Sequence, residues 1–154
     1  MHYQLQADEF LKAFEALIEA PELRISSHVC LALALEAQTK ALLQALGKSA
    51  PQGETTKTFM KLYKKLPKDV QTRVFKHPAI QENFDFLDAG FEPLTFTWFY
   101  TPKHAFYDEL QAISHSLKQW HTTHDNFALN YNTLFAGVLV EALKGITAEV
   151  QSTV

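Results

Sequence analysis

The fold is decided by residues 25–47, ISSHVCLALALEAQTKALLQALG, a run rich in leucine and alanine with no proline. Its apolar residues fall on two helical faces, one with Ile25, Val29, Ala32 and Leu33, the other with Leu31, Leu35, Leu42 and Leu46. A helix that is apolar on more than one side is buried among several neighbours. The run therefore predicts the central helix of a bundle, with Ser26 or Ser27 as its N-cap and Gly47 as its C′ residue.

Apolar stripes at helical spacing also occur on both sides of this run. One covers residues 7–18 and ends before a proline, and another covers residues 106–120. A last stripe covers residues 127–146, and Asp125 or Asn126 is its predicted N-cap. Each stripe predicts an amphipathic helix that packs one face against the central helix.

Prolines and glycines divide the region between the central helix and the closing helices. Residues 48–56 are predicted to form a loop, and two short helices follow, separated by Pro67, with Asp69 as the cap of the second. The stretch 79–102 is irregular. The sequence thus predicts an all-α fold, an up-and-down helical bundle of four to six helices, as a single domain over residues 1–154.

The composition favours a cytoplasmic protein. Cys30 is the sole cysteine among 154 residues, so the chain cannot form an intrachain disulfide. The first ten residues lack the basic and apolar regions of a signal peptide. No apolar run approaches the roughly 20 residues that span a bilayer, so no membrane association is expected.

The sequence offers little support for a metal or a cofactor. His121, His124 and Asp125 are close in sequence, but no distant third ligand accompanies them, and we predict no metal site. The five glycines are too scattered to form a phosphate-binding loop, so no cofactor is predicted. Cys30 lies within the apolar helix and is interpreted as an inert core residue.

The basic residues are concentrated in one short segment. Half of the fourteen lie between positions 57 and 76, where Asp69 is the one acid, so this segment carries +6 and the rest of the chain −9. Such a local positive field attracts nucleic acid, nucleotides or an acidic partner protein, although a solvated helix face gives the same pattern. The predicted binding residues are Lys57, Lys61, Lys64, Lys65, Lys68, Arg73 and Lys76.

Two further groups of residues are candidates for a polar cleft. Glu36 and Lys40 lie one turn apart on the central helix, which predicts an ion pair that is structural or orients a ligand. The block from Phe84 to Tyr107 is rich in aromatic residues, most of which are expected to fill the core. Within that block, Trp98 and Tyr100 are expected to keep a polar edge at a cleft.

Three motifs resemble those of HEPN domains, in the same order along residues 25–145. They are Ala34-Leu35-Glu36 with Lys40-Ala41-Leu42-Leu43, then Leu62-Tyr63 with Leu66-Pro67, then the segment from Phe96 to Tyr100. The resemblance implies a helical bundle that is commonly a homodimer. It implies either a metal-independent ribonuclease or toxin, which pairs with a nucleotidyltransferase-like protein, or a non-catalytic module that binds nucleotides or RNA.

The chain departs from the ribonuclease motif of that family. The motif is an arginine followed after four to six residues by a histidine near the closing helix, and no arginine occurs in that part of this chain. The weak substitutes are Lys118 with His124, and Arg73 with His77. Because lysine lacks the bidentate geometry of arginine toward phosphate, a non-catalytic binding domain is favoured. A divergent ribonuclease and a homodimeric structural protein are the alternatives.

Overall fold

The computed structural model describes residues 2–49, 59–84 and 101–153, and within them the chain is an all-α bundle, as predicted. Two 3-10 turns, Pro21–Leu23 and Asn126–Ala128, lie between the longer helices. The α-helices of the described residues are α1 Tyr3–Leu17, α2 Arg24–Ala45, α3 Phe59–Tyr63, α4 Lys68–Lys76, α5 Pro78–Asn83, α6 Pro102–Thr123 and α7 Thr133–Ser152.

The central position predicted for α2 is confirmed. Ala32 of the first predicted face and Leu31, Leu35 and Leu42 of the second are buried, and so are the polar residues Gln38 and Thr39. The helix ends at Ala45, and Gly47, two residues later, has a φ of +75°. The Gly47 N–H donates to the Gln44 carbonyl and the Lys48 N–H to the Leu43 carbonyl, so the predicted C′ glycine closes the helix in a Schellman motif.

The predicted N-cap of α2 was wrong by three to four residues. The helix begins at Arg24, directly after the 3-10 turn that Pro21 opens, and Leu23 occupies the N-cap position without a side-chain hydrogen bond. Ser27 lies inside the first turns of the helix, where its hydroxyl donates to the Arg24 carbonyl at 2.6 Å. The proline-initiated turn leads into α2 without an extended residue that a serine could occupy as a cap.

Buried polar contacts show how the long helices run relative to one another. Gln4 at the start of α1 exchanges two amide hydrogen bonds with Gln38 in the second half of α2, at 2.9 and 2.8 Å, so these two helices are antiparallel. The Gln38 amide also donates to the Thr147 hydroxyl near the end of α7, at 3.2 Å. His28 in the first half of α2 contacts Tyr131 just before α7, so α2 and α7 run in the same direction.

The segment from residue 59 to 83 contains three short helices, because Pro67 and Pro78 interrupt it. These prolines bring the described α-helices to seven, where four to six were predicted. Leu62 and Leu66 point into the core as expected. Asp69 is not the cap of α4, since Pro67 occupies that position; its carboxylate lies in the first turn, where the helix dipole favours it.

The last helix begins later than the sequence predicted. Asp125 caps the 3-10 turn, while Asn132 caps α7 by accepting the N–H groups of Leu134 and Phe135 at 3.1 and 3.2 Å. The connection between them is attached to α2, because His28 Nδ1 donates to the Leu129 carbonyl at 3.0 Å and the Tyr131 hydroxyl donates to the His28 carbonyl at 2.5 Å. These bonds hold the connection out of helical conformation.

Candidate nucleic-acid interface

The basic segment predicted from the sequence contributes five exposed lysines, which lie on α3, on the turn after it and on α4. Val70, Gln71 and Val74 of α4 are buried and Phe75 packs against the core, so the exposed side of this helix carries Lys68 and Lys76. The lysine face consists of the exposed residues Lys61, Lys64, Lys65, Lys68 and Lys76. None of these five forms an ion pair with a carboxylate of the described part of the chain. Lys57 lies outside the described residues.

Arg73, which the sequence grouped with these lysines, has a different environment. Its guanidinium is hydrogen-bonded to the carboxylate of Glu149 on α7, and both side chains are largely exposed. A solvent-exposed ion pair contributes little to stability. It nevertheless engages the guanidinium of the one arginine in this segment. Arg73 therefore connects α4 to α7 and is less available to a ligand than the lysines.

A cleft of about 280 Å³ lies between α4 and α6 at one end of the lysine face. Its lysines come from both helices, Lys68 and Lys76 from α4 and Lys103 from the first turn of α6. No carboxylate is among the described residues that line it. The amino end of α6 adds positive potential next to Lys103. The cleft thus carries three cations without a compensating acid in its lining.

The walls of this cleft are aromatic. Phe75 of α4 packs edge-on against Phe106 of α6, with ring centroids 5.3 Å apart, and Phe106 in turn contacts Tyr107 at 5.8 Å. Phe106 is fully buried, whereas Tyr107 keeps 36% of its surface exposed. The expectation that the aromatic block fills the core is confirmed for Phe84 and Phe106, and Tyr107 presents its ring at the cleft.

Sequence reasoning missed the contribution of α6 to this site. Lys103 and Tyr107 are more than 25 residues from α4 along the chain, and no spacing rule connects them to it. The available signal was the position of Lys103 directly after Pro102, at the positive end of a helix, where a lysine is electrostatically unfavourable. Trp98 and Tyr100, the residues expected at a cleft, lie outside the described residues.

The predicted pair between Glu36 and Lys40 does not form. Glu36 is 7% exposed and its carboxylate contacts His121 Nε2 of α6 at 2.6 Å. Lys40 instead places its ammonium 5.6 Å from the centre of the Tyr3 ring of α1. Both contacts connect α2 to a neighbouring helix, so these residues have structural roles in the bundle.

The candidate acid–base residues Lys118, His124 and His77 have different environments. Lys118 and His124 are both exposed, and no hydrogen bond joins them within the described ranges. His124 adopts a φ of 57° at the C-terminus of α6. His77 caps α5, where Nδ1 accepts the Ala79 N–H at 3.2 Å, and its Nε2 lies against Gly145 of α7.

Other kinds of site receive no support from the described residues. In residues 2–49, 59–84 and 101–153, no three His, Cys, Asp or Glu side chains are arranged to hold a metal ion. Burial raises the pKa of the Cys30 thiol, which disfavours the reactive thiolate. Over the same residues, no helix combines the length and apolar character needed to cross a bilayer.

Comparison with known proteins found no family model, no curated protein and no solved structure that matches this chain.

Proposed function

We propose that this chain is a non-catalytic, HEPN-like domain that binds single-stranded nucleic acid through its lysine face. The observation that carries the proposal is the exposure of five lysines between residues 61 and 76, on α3, on the turn after it and on α4, with no described carboxylate paired to any of them. Lysines that served solubility alone would be expected to alternate with acids, whereas Asp69 is the one acid between Lys61 and Lys76. The all-α bundle is compatible with the family resemblance.

A single strand fits the surroundings of these lysines better than a duplex does. Single strands are bound by positive grooves combined with aromatic side chains on which bases stack. The lysine face leads to the cleft in which Tyr107 presents its ring. An acidic protein partner would use the same charges without requiring the exposed aromatic side chain.

Fluorescence anisotropy with a labelled single-stranded RNA tests the proposal. If all five lysines contact phosphates, the plot of log affinity against log salt has a slope of about −3.5, and affinity falls roughly 100-fold between about 50 and 200 mM salt. The RNA should remain intact, since the domain is proposed to be non-catalytic. No binding at low salt would contradict the proposal, and cleavage that His124→Ala or His77→Ala abolishes would favour the ribonuclease alternative.

Matched charge reversals separate the lysine face from net charge. The variant Lys64→Glu/Lys65→Glu changes two lysines of the face, and Lys12→Glu/Lys118→Glu changes two exposed lysines elsewhere by the same total charge. We expect the first to lose most of the RNA affinity and the second to keep most of it. Equal losses would mean that net charge, and not this surface, determines binding.

A second candidate function is self-association through the end of the bundle, and it is favoured by two exposed apolar side chains. Phe127 is 75% exposed in the 3-10 turn and Leu134 is 72% exposed in the first turn of α7. Large exposed apolar groups mark interaction surfaces when they form a patch. Light scattering should then report a dimer that Phe127→Ser/Leu134→Ser converts to a monomer; a monomeric parent chain at high concentration would contradict it.

A further inference from the structure

We infer that the cleft between α4 and α6 binds one nucleoside phosphate unit, with its phosphate on the lysines and its base against Tyr107. The inference rests on the proposed function, which concerns a polyanion on the lysine face, and assigns a separate subsite to a single nucleotide. A nucleoside phosphate reaches such a subsite as part of a strand or as a free mononucleotide. Both sources present the same chemistry, a dianionic or monoanionic phosphate attached to an aromatic base.

The cations of the cleft match a phosphate. Lys68 and Lys76 stand two turns apart on α4, and Lys103 approaches from α6, so a bound anion would be contacted from two directions. The described lining supplies no carboxylate that would repel it. The first turn of the 22-residue α6 carries the partial positive charge of a helix amino end, which favours an anion at the same place.

The aromatic side chains match a base. Tyr107 is the partly exposed ring of the wall, while Phe106 behind it is fully buried and packed against Phe75. The edge contact between Phe106 and Tyr107, at an interplanar angle of 76°, fixes the Tyr107 ring from one side. A ring held in this way offers a stacking surface without much further loss of side-chain entropy.

The polar side chains of the wall favour a nucleoside over a bare phosphate ion. The Gln71 amide nitrogen donates to the Leu66 carbonyl at 2.8 Å, which leaves its carbonyl oxygen as the group available at the cleft. The Thr72 hydroxyl donates its proton to the Lys68 carbonyl at 3.0 Å, so its oxygen can act toward a ligand as an acceptor. Acceptors suit the hydroxyl groups of a ribose or the amino group of a base, and they are unfavourable beside an anion.

The size of the cleft sets the size of the ligand. A volume of about 280 Å³ is slightly below the range of about 300–1,000 Å³ that holds drug-sized ligands. The cleft is therefore suited to one nucleotide unit, and a longer strand would have to continue outside it. The exposed lysines that precede Lys68 in the chain, Lys61, Lys64 and Lys65, would supply the cations for that part of the strand.

Isothermal titration calorimetry on the full chain tests the inference with AMP, adenosine and inorganic phosphate as probes. AMP is chosen because its exocyclic amino group can donate to the Gln71 carbonyl oxygen. We expect AMP to bind at least about tenfold more tightly than adenosine or phosphate, since each fragment lacks one half of the contacts. Phosphate binding as tight as AMP binding would overturn the assignment of a base to Tyr107.

Cleft variants are compared with matched controls in the same assay and with labelled RNA. Tyr107→Ala and Lys103→Ala should each weaken AMP by at least about fivefold, because a stacked base and a phosphate contact are each worth that much. Tyr107→Phe restores the ring and should recover most of the AMP affinity that Tyr107→Ala loses, whereas Lys12→Ala removes an exposed lysine of α1 and should bind AMP normally. Lys103 is exposed, so its variant remains informative if Tyr107→Ala proves poorly folded.

The outcomes separate this inference from the proposed function. RNA affinity lowered by both cleft variants, without measurable AMP binding, would support the subsite and identify a strand as the source. The subsite would be overturned if RNA affinity falls in Lys64→Glu/Lys65→Glu, is unchanged in both cleft variants, and AMP does not bind. That result would leave the proposed function intact. AMP binding in the cleft without RNA binding would contradict the proposed function alone. A chain that binds neither probe contradicts both.

Discussion

Replacing Gly145 by alanine tests whether His77 is held as a structural residue. Gly145 lies in the second half of α7, and a Cβ atom there would come to 3.0 Å from His77 Nε2. The imidazole is fixed on its other side, because Nδ1 accepts the Ala79 N–H at the start of α5. Gly137 in the same helix is the matched control, since its Cβ would meet no atom of the described residues within 4 Å beyond its own helix.

The expected effects follow from two opposing contributions. Alanine in place of glycine within a helix gains about 1 kcal/mol of helix propensity, and we expect Gly137→Ala to show this gain in its free energy of unfolding. In Gly145→Ala the imidazole must move away, and losing its cap on α5 costs about 1 kcal/mol. The gain and the cost nearly cancel, so Gly137→Ala should melt about 2–4 °C above Gly145→Ala in a chain of this size.

Denaturant unfolding followed by circular dichroism measures both variants alone and in a His77→Ala background. Without the imidazole, Gly145→Ala should recover the full stabilisation of about 1 kcal/mol, because nothing then opposes the added methyl group. If Gly145→Ala stabilises the parent chain as much as Gly137→Ala does, the His77 ring is free to move and the reasoning is refuted. His77 would then regain interest as an acid–base candidate.

Three further predictions concern polar side chains of the bundle. Tyr63→Phe should raise the free energy of unfolding by up to about 1 kcal/mol, because the buried Tyr63 hydroxyl has no partner in the described residues. Tyr131→Phe should lower it by about 0.5–1.5 kcal/mol, because the Tyr131 hydroxyl donates to the His28 carbonyl. Burial raises the pKa of both phenols, so their contribution to the free energy of unfolding is fully present below about pH 10 and is lost above it, and either variant should lose less stability above that pH than the parent chain. Glu36→Ala should lower the free energy of unfolding by roughly 1–3 kcal/mol. In a double-mutant cycle with His121→Ala the two effects should be strongly non-additive, and additive effects would contradict the pairing of these two residues. Asn132→Ala should cost about 1 kcal/mol, measured by thermal unfolding, and an unchanged melting temperature would argue against its role as the cap of α7.

The long helices could be predicted because their signals are local. The leucines of α2 and the glycine at position 47 act through neighbouring residues, and these features appear in the structure as expected. The start of α7 could not be predicted this way. Its apolar stripe continues through Tyr131, but two hydrogen bonds to His28, about 100 residues earlier, hold that segment in a non-helical connection.

The candidate site shows the same division between local and distant information. The concentration of lysines follows from composition alone, and the structure shows five of them exposed. The partner of Glu36 was missed because the i, i+4 rule considers a lysine on the same helix, whereas His121 is 85 residues away. The cleft requires the packing of α4 on α6, which no local pattern encodes.

The way α4 is attached to the bundle bears on how its lysines can act. Val70 and Val74 are buried, the Gln71 amide is bonded to the Leu66 carbonyl, and Arg73 reaches Glu149 on α7. Like charges held close together on a surface repel one another and lower stability. A solvated helix that served solubility alone could relieve this repulsion by fraying, but these contacts oppose it. The backbone positions of Lys68 and Lys76 are therefore fixed before any ligand arrives, so an anion bound between α4 and α6 has to order their flexible side chains but not the helix that carries them.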